Sequence, residues 1–390
     1  MNPSVLLITE TPPGTPNGFG VTLDTLLRNL HDNLTVFYTD LAFKKDGEGR
    51  GYTLAQVPNH RGRRHWLSFR AGKTPEWRGR YSRRWLKQML RRSKPDLVYS
   101  FLYSFSCLRF ADWISNVLAV PHLPHIADHS EEFTVDSRAR SILSQAGARA
   151  VIGKNMKEHY ENHLAPLDFH VLHNAPESDA FTLRPVSRKT FSSSSPFVLR
   201  FCGSIFANLH LEGVEDVMQT VRQMGEEGLP IRMELYGKVH PSNCLDKWLD
   251  GKHVTHAGSV KPSKRHELLE GADAHLVPAS FDPKRYEHYR LSIPTKLTEV
   301  LASGRPTLIY GPDCMEAVRF CQREDMALIR TQRSTNMLRD TLRDLVKNYP
   351  AHVKNAEKNA ELIHSNYSAA SMRTRFDKLL NEALAPSHLT

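Results

Sequence analysis

Apolar residues fall along the 390-residue chain in two alternating patterns. Short, nearly continuous apolar runs occupy residues 5–8, 34–38, 97–100, 148–153, 169–176, 197–204, 231–237, 254–260, 272–278 and 305–310. Short runs of this mainly apolar character read as buried strands. Between them, apolar positions recur every three or four residues, as in Val21, Leu23, Leu26, Leu27 and Leu30. The same helical spacing predicts helices near 154–160, 213–225, 264–270, 292–303, 336–348, 351–365 and 372–384. Strands alternating with helices predict an α/β fold with parallel sheets. The serine run 192–195, flanked by Phe191 and Pro196, has linker composition and divides the pattern in two. The expected organisation is therefore a first α/β domain over 1–190, a second over 197–370, and a closing helix over 371–390.

The stretch 289–311 carries the most chemistry. Ser292 is placed to cap a helix, Pro294 suits its first turn, and Gly304 ends it. Ile293, Leu297, Val300 and Leu301 form one apolar stripe. Ser292, Lys296, Glu299 and Ser303 share a second stripe, roughly 110° away at 100° per residue. A helix start with a cation and a carboxylate beside it suits a nucleoside diphosphate, with backbone N–H groups and Lys296 on phosphate and Glu299 on ribose hydroxyls. A solvated helix face with a Lys–Glu pair explains the same residues.

Two further clusters stand out. Residues 11–20 form a glycine-bearing loop between the first strand and helix. Gly18-Phe19-Gly20 is followed by Leu23 where a dinucleotide fingerprint needs a third glycine. It reads either as a close backbone approach to an anion or as a tight turn. Residues 122–132 contain His122, His125, Asp128, His129, Glu131 and Glu132. No His-Glu-x-x-His is present, and Pro121 and Pro124 preclude a helix that would align the imidazoles, so no metal is expected. Asp128 and His129 fall where a parallel strand would end, the edge at which such sheets meet ligands.

Composition is that of a globular chain, 40% hydrophobic and 24% charged. No apolar run reaches the length of a membrane span, and the first residues lack the pattern of a signal peptide. Five scattered cysteines without Cys-x-x-Cys argue against a disulfide framework or zinc module, so a reducing, cytoplasmic setting is expected. The net charge of +10 points to an acidic partner. Much of it lies in 61–94, which holds thirteen Lys and Arg against Glu76 alone, interleaved with aromatics. Trp77, Tyr81 and Trp85 recur every four residues, which predicts a basic helix over about 76–92. A core-packed helix with a solvated face and docking on an anionic membrane surface both fit. No nucleic-acid module accompanies the segment, so nucleic acid is not an expected partner.

Pro294-x-Lys296, Glu299, Ala302-Ser303-Gly304-Arg305-Pro306 and the apolar run after them resemble the donor-site segment of GT-B glycosyltransferases, in particular the retaining group called family 4. The second-domain order of strands and turns resembles theirs as well. The resemblance implies two Rossmann-like domains with parallel sheets facing a central cleft. It also implies retaining transfer of a sugar from a UDP-sugar or GDP-sugar to an acceptor hydroxyl, metal-independent, in polysaccharide or glycolipid assembly. Lys296 and Glu299 would act on the donor, with Gly203, Arg290, Ser292 and Thr295 at the diphosphate and Val260 in the base-holding segment. Asp128 and His129 would position acceptor or sugar, and Gly18 and Gly20 would lie in the loop over the cleft. A glycan or lipid-linked acceptor would be met on the inner membrane face, with 61–94 as a peripheral contact. Relatives commonly carry Arg after the first glycine of the second domain, Lys-Gly some residues on, and an acid eight residues before the Glu. Here those positions are Ser204, Glu212-Gly213 and Leu291. Lys284, Arg285, Arg290 and Lys296 are the candidates for relocated phosphate cations. The alternative is a non-catalytic GT-B scaffold that binds sugar nucleotide or glycan, or a sugar-nucleotide epimerase.

Overall fold

The computed structural model describes residues 3–15, 17–38, 53–56, 90, 94–177, 181, 190–206, 209–241, 244–261, 264–287 and 289–385. The basic aromatic helix expected over 76–92 lies outside them, apart from Leu90. The chain divides into two units, Met1–His173 with Ala369–Thr390, and Asn174–Ser368. The division falls upstream of the serine run, which instead forms a small Ser192–Ser195 bridge.

The first unit is built on β1 (Val5–Thr9), β2 (Leu34–Tyr38), β3 (Thr53–Gln56), β4 (Leu97–Leu102), β5 (His122–Ile126), β6 (Ala150–Val151) and β7 (His170–Val171). All pair in parallel in the order β3-β2-β1-β4-β5-β6-β7. β1 and β4 are buried along their whole length, as expected of uninterrupted apolar runs covered on both faces. The closing helix Ala369–Leu384 belongs to this unit. Its Phe376 packs on Tyr99 of β4 at 4.9 Å between ring centroids, and Arg373 Nη1 donates to the Thr25 carbonyl at 3.2 Å.

The second unit has β8 (Phe197–Cys202), β10 (Ile231–Tyr236), β12 (Val254–His256), β13 (Ala274–Pro278), β14 (Thr307–Tyr310) and β15 (Leu328–Arg330). They form a parallel sheet in the order β12-β10-β8-β13-β14-β15, and β9 (Ile205–Phe206) pairs separately with β11 (Val239–His240). Helix Leu211–Glu226 lays Val214, Val217, Met218 and Val221 on Phe197, Leu199 and Leu235. Arg200 and Glu234, opposite each other on β8 and β10, form a buried ion pair with Nε–Oε2 at 3.0 Å. The pair satisfies two groups that would be expensive to bury alone.

The segment after residue 289 departs from the expectation. Ser292 and Pro294 do not begin a helix; the helix is Leu297–Ala302, with Lys296 at its N-cap position. A helix from 293 would need the Ile293 carbonyl to accept from the Leu297 N–H. Asn174 Nδ2 donates to that carbonyl instead, at 3.4 Å, and the Leu297 N–H turns to the Pro294 carbonyl at 2.9 Å. Thr298 Oγ1 in turn donates to the Asn174 carbonyl at 3.1 Å. A distant side chain thus takes the acceptor that local propensity had assigned to the helix. The apolar stripe itself is as expected, with Ile293, Leu297, Val300 and Leu301 all buried.

Candidate active site

In an open parallel sheet, ligands meet the carboxyl ends of the strands where the chain order reverses. In the second unit this is between β8 and β13. Gly203 follows β8 there, and Ala279-Ser280 follow β13. Three glycines line the adjoining edge. Gly203 donates its N–H to the Tyr236 carbonyl, and Gly237 donates to the Gly258 carbonyl at 2.8 Å. Gly237 has φ +133, and a methyl group on it would lie 2.0 Å from the Gly203 carbonyl oxygen. Only glycine fits that approach, so the backbone edge stays bare.

Lys296 reaches this edge. A methyl group on Gly203 would lie 3.3 Å from its Nζ and 3.1 Å from Phe201 Cζ. Burial and the neighbouring Arg265 hold the Lys296 amine below the ordinary lysine range, partly offset by Glu299. Glu299, one turn on, is 14% exposed and ion-paired with Arg265 Nη2. Burial pushes its carboxyl up, while Arg265 and Lys296 pull it down. The result is a compact cation–carboxylate–cation group with glycine backbone on one side. It can bind phosphate oxygens through two cations and hydroxyls through one carboxylate.

Of the other donor-site residues, Val260 is half-buried in the loop after β12. Ser292 lies half-buried in a bend and Thr295 half-buried in the turn just before Lys296, so Ser292 does not cap the helix as expected. Ser303, expected on the exposed stripe, is buried and donates to the Val300 carbonyl at 2.6 Å. Arg290 donates its Nε to Glu287 Oε1 at 2.8 Å, and Arg285 pairs with Asp282. Glu212 accepts from Ser280 Oγ at 2.7 Å, from the Phe281 N–H at 3.2 Å, and from Arg333. Arg333 also spans Asp216 with bonds of 2.8 and 3.0 Å. This carboxylate pins the loop after β13. Arg265 was missed by sequence reasoning; its signal was a basic residue at the head of a helix following the base-holding segment, which is common on any solvated helix.

In the first unit, Asp128 and His129 do follow β5. The His129 ring pairs with the Tyr160 hydroxyl at 3.0 Å through Nδ1, and the His129 backbone N–H donates to Asp128 Oδ1 at 3.2 Å. His122 and His125 point elsewhere. His122 Nε2 meets Ser100 Oγ at 2.7 Å and His125 Nδ1 meets the Tyr99 hydroxyl at 2.8 Å. Burial lowers both imidazoles to about 3, so they are neutral core residues. Among the described residues, no group of three or more His, Cys, Asp or Glu is placed to hold a metal. Gly18 and Gly20 sit in the first turn of helix Gly18–Leu26. The Gly20 N–H is taken by the capping Asn17 Oδ1 at 2.9 Å. A methyl group there would lie 2.5 Å from the Thr15 carbonyl oxygen. Gly20 is thus required by the turn itself. No helix among the described residues is long and apolar enough to cross a membrane.

No family model matches the sequence, and no curated protein is significantly similar to it. Solved structures are similar over nearly the whole chain. Anabaena HepE, in complex with UDP, is 12% identical with TM-score 0.69, covering 97% of this chain and 99% of its own. A glycosyltransferase from Rickettsia africae is 10% identical with TM-score 0.72, covering 99% and 100%. The lipopolysaccharide outer core galactosyltransferase WaaB is 16% identical with TM-score 0.62, covering 97% and 99%. The chain has the GT-B fold, with two parallel α/β units.

Proposed function

We propose that this chain is a glycosyltransferase that moves a sugar from a UDP- or GDP-sugar to an acceptor hydroxyl with retention, in polysaccharide or glycolipid assembly. The observation that carries the reading is Lys296 Nζ against the bare Gly203 edge at the switch point, with Glu299 beside it. Three of the similar structures are of HepE with UDP, with UDP and glucose, or with UDP-glucose.

In this mechanism the donor diphosphate lies along the Gly203–Gly237 edge. Negative charge grows on it as the glycosidic C–O bond breaks. Lys296 and Arg265 are fixed cations where that charge develops, so little reorganisation is needed. Glu299, set between two cationic neighbours, accepts from ribose hydroxyls. The Gly258–Val260 loop holds the base. The acceptor hydroxyl attacks the anomeric carbon from the face the diphosphate leaves, and its proton passes to the departing phosphate oxygen. No paired carboxylates of the glycosidase kind are required, and the phosphate cations are side chains rather than a metal. Asp128 and His129 orient the acceptor or the sugar. The acceptor is a glycan or lipid-linked intermediate, met at an anionic membrane surface through residues 61–94.

The test is thermal unfolding with UDP, GDP, ADP and their common sugar conjugates, with and without EDTA. A shift of several degrees for one base, retained in EDTA, is expected; no shift with any of them refutes the donor site. A non-catalytic scaffold is the second reading, favoured by Ser204 and by Glu212 being committed to Arg333. It predicts the same shift with no nucleoside diphosphate released in the presence of any acceptor.

A further inference from the structure

His210 ends the loop after β9 in the second unit and stands at the N-cap position of the 16-residue helix Leu211–Glu226. The backbone around it is tied on several sides. The His210 N–H donates to the Phe206 carbonyl at 3.0 Å, and the His210 carbonyl accepts from the Val214 N–H at 3.0 Å. The neighbouring Leu209 carbonyl accepts from the Ser280 N–H at 3.1 Å and from the Tyr289 hydroxyl. The imidazole faces the Tyr289 ring, with centroids 6.4 Å apart. It makes no capping hydrogen bond. Its Nδ1 is buried and has no hydrogen-bond partner among the described residues. Buried polar atoms are rarely left so, and an apolar ring would fill the place at lower cost.

The charged group that acts on this ring is Lys296, the lysine that reaches the Gly203 edge. Glu212, two residues on, spends its carboxylate on Ser280, Phe281 and Arg333, and Lys296 is itself flanked by Arg265 and Glu299. Burial and the Lys296 charge lower the His210 imidazole from 6.5 to about 4, so the ring is neutral at neutral pH. A buried base beside a fixed cation, at the start of a long helix, is a setting that an anion completes. Negative charge there reverses the effect of Lys296 and favours the imidazolium, and the helix start favours the same anion. We propose that His210 takes up a proton when the donor binds and serves, with Lys296 and Arg265, as a third cation for the diphosphate. The proton comes from solvent, stays on the imidazolium while charge grows on the diphosphate, and leaves when the nucleoside diphosphate departs. That the anion is a donor diphosphate rests on the glycosyl-transfer reading of this site.

Isothermal titration calorimetry of the full chain with UDP-glucose, UDP-galactose and GDP-mannose, in buffers of different ionisation enthalpy, counts the protons taken up on binding. These diphosphate diesters, unlike UDP and GDP, have no phosphate proton to exchange near neutral pH. At pH 6 an imidazole at about 4 is about 1% protonated, and one returned to the ordinary 6.5 is about three-quarters protonated. The wild type is therefore expected to take up about 0.7 proton more than His210→Gln at pH 6. The ratio of variant to wild-type Kd should fall about thirtyfold from pH 5 to pH 8. Protons exchanged by Glu299 cancel in both comparisons, and a merely structural role for His210 would shift Kd by one factor at every pH. Near-UV circular dichroism verifies folding, with His210→Asn as the second variant. Should neither fold, the wild-type count decides, and a value near zero overturns the proposal. Equal proton counts in wild type and a folded variant, or a Kd ratio flat in pH, overturn it as well. If no sugar nucleotide binds the wild type, the donor reading falls and this proposal with it. A sugar nucleotide that binds without proton uptake removes this proposal alone.

Discussion

Glu10, which follows β1, is buried with its Oε1 accepting from Ser104 Oγ at 2.6 Å, and it makes a quantitative statement about stability. Burial raises its carboxyl from the ordinary 4.5 to about 7, against smaller opposing effects from Ser104, Cys107 and backbone N–H groups. Between those values the native state keeps a proton that the unfolded chain has released. Stability then falls as pH rises from about 4.5 to about 7 and levels off above. At about 1.4 kcal/mol for each pH unit, the whole loss is about 3 kcal/mol. For a unit of this size that corresponds to roughly 6–12 °C in Tm. Glu10→Gln removes the titration while keeping size and the Ser104 bond. It leaves an amide without a partner, a cost of about 1–3 kcal/mol that does not vary with pH. The difference between wild type and variant isolates the residue, because all other titrating groups cancel. Glu10→Gln is expected to be the less stable protein at pH 5 and to close or reverse the gap by pH 8. The assay is thermal unfolding of both across that range, followed by near-UV circular dichroism. A difference flat in pH to within about 0.5 kcal/mol would falsify the account of Glu10 as a carboxyl held neutral by burial.

Four other outcomes follow from the geometry. Glu299→Ala removes the acceptor assigned to ribose and should cut donor kcat/KM about tenfold to a hundredfold; wild-type turnover in that variant would sink the donor-site assignment. Arg265→Met leaves Glu299 buried without its ion pair, so its carboxyl rises further and the acid limb of UDP or GDP affinity should move to higher pH, read as Kd against pH. Gly213→Val would place Cβ 2.4 Å from the Ala279 carbonyl oxygen, and unfolding of the second unit should show a loss of about 1–3 kcal/mol or more. Reversing the charge at Arg83, Arg84, Arg91 and Arg92 should abolish binding to vesicles containing anionic lipid, and unchanged sedimentation with such vesicles excludes the membrane contact.

Much of the architecture was legible in the order of residues because it depends on short-range periodicity. Apolar runs such as 5–8 and 305–310 became buried parallel strands, and spacings of three and four became helices mostly within a few residues of their expected ends. The motif from Pro294 to Pro306 likewise carried the fold resemblance, since its glycine, proline and apolar stripe act locally. What local rules missed was decided by partners far along the chain. The helix expected from Ser292 starts at Leu297 because Asn174, 119 residues away, takes the Ile293 carbonyl. Lys296 acquires its setting from Gly203, and Glu299 from Arg265, neither of which neighbours it in sequence. Nothing in the neighbouring sequence marks Glu10; the fold sets it against Ser104, 94 residues on, and buries its carboxyl. Burial and pairing are properties of what the folded chain brings together, and no window along the sequence contains them.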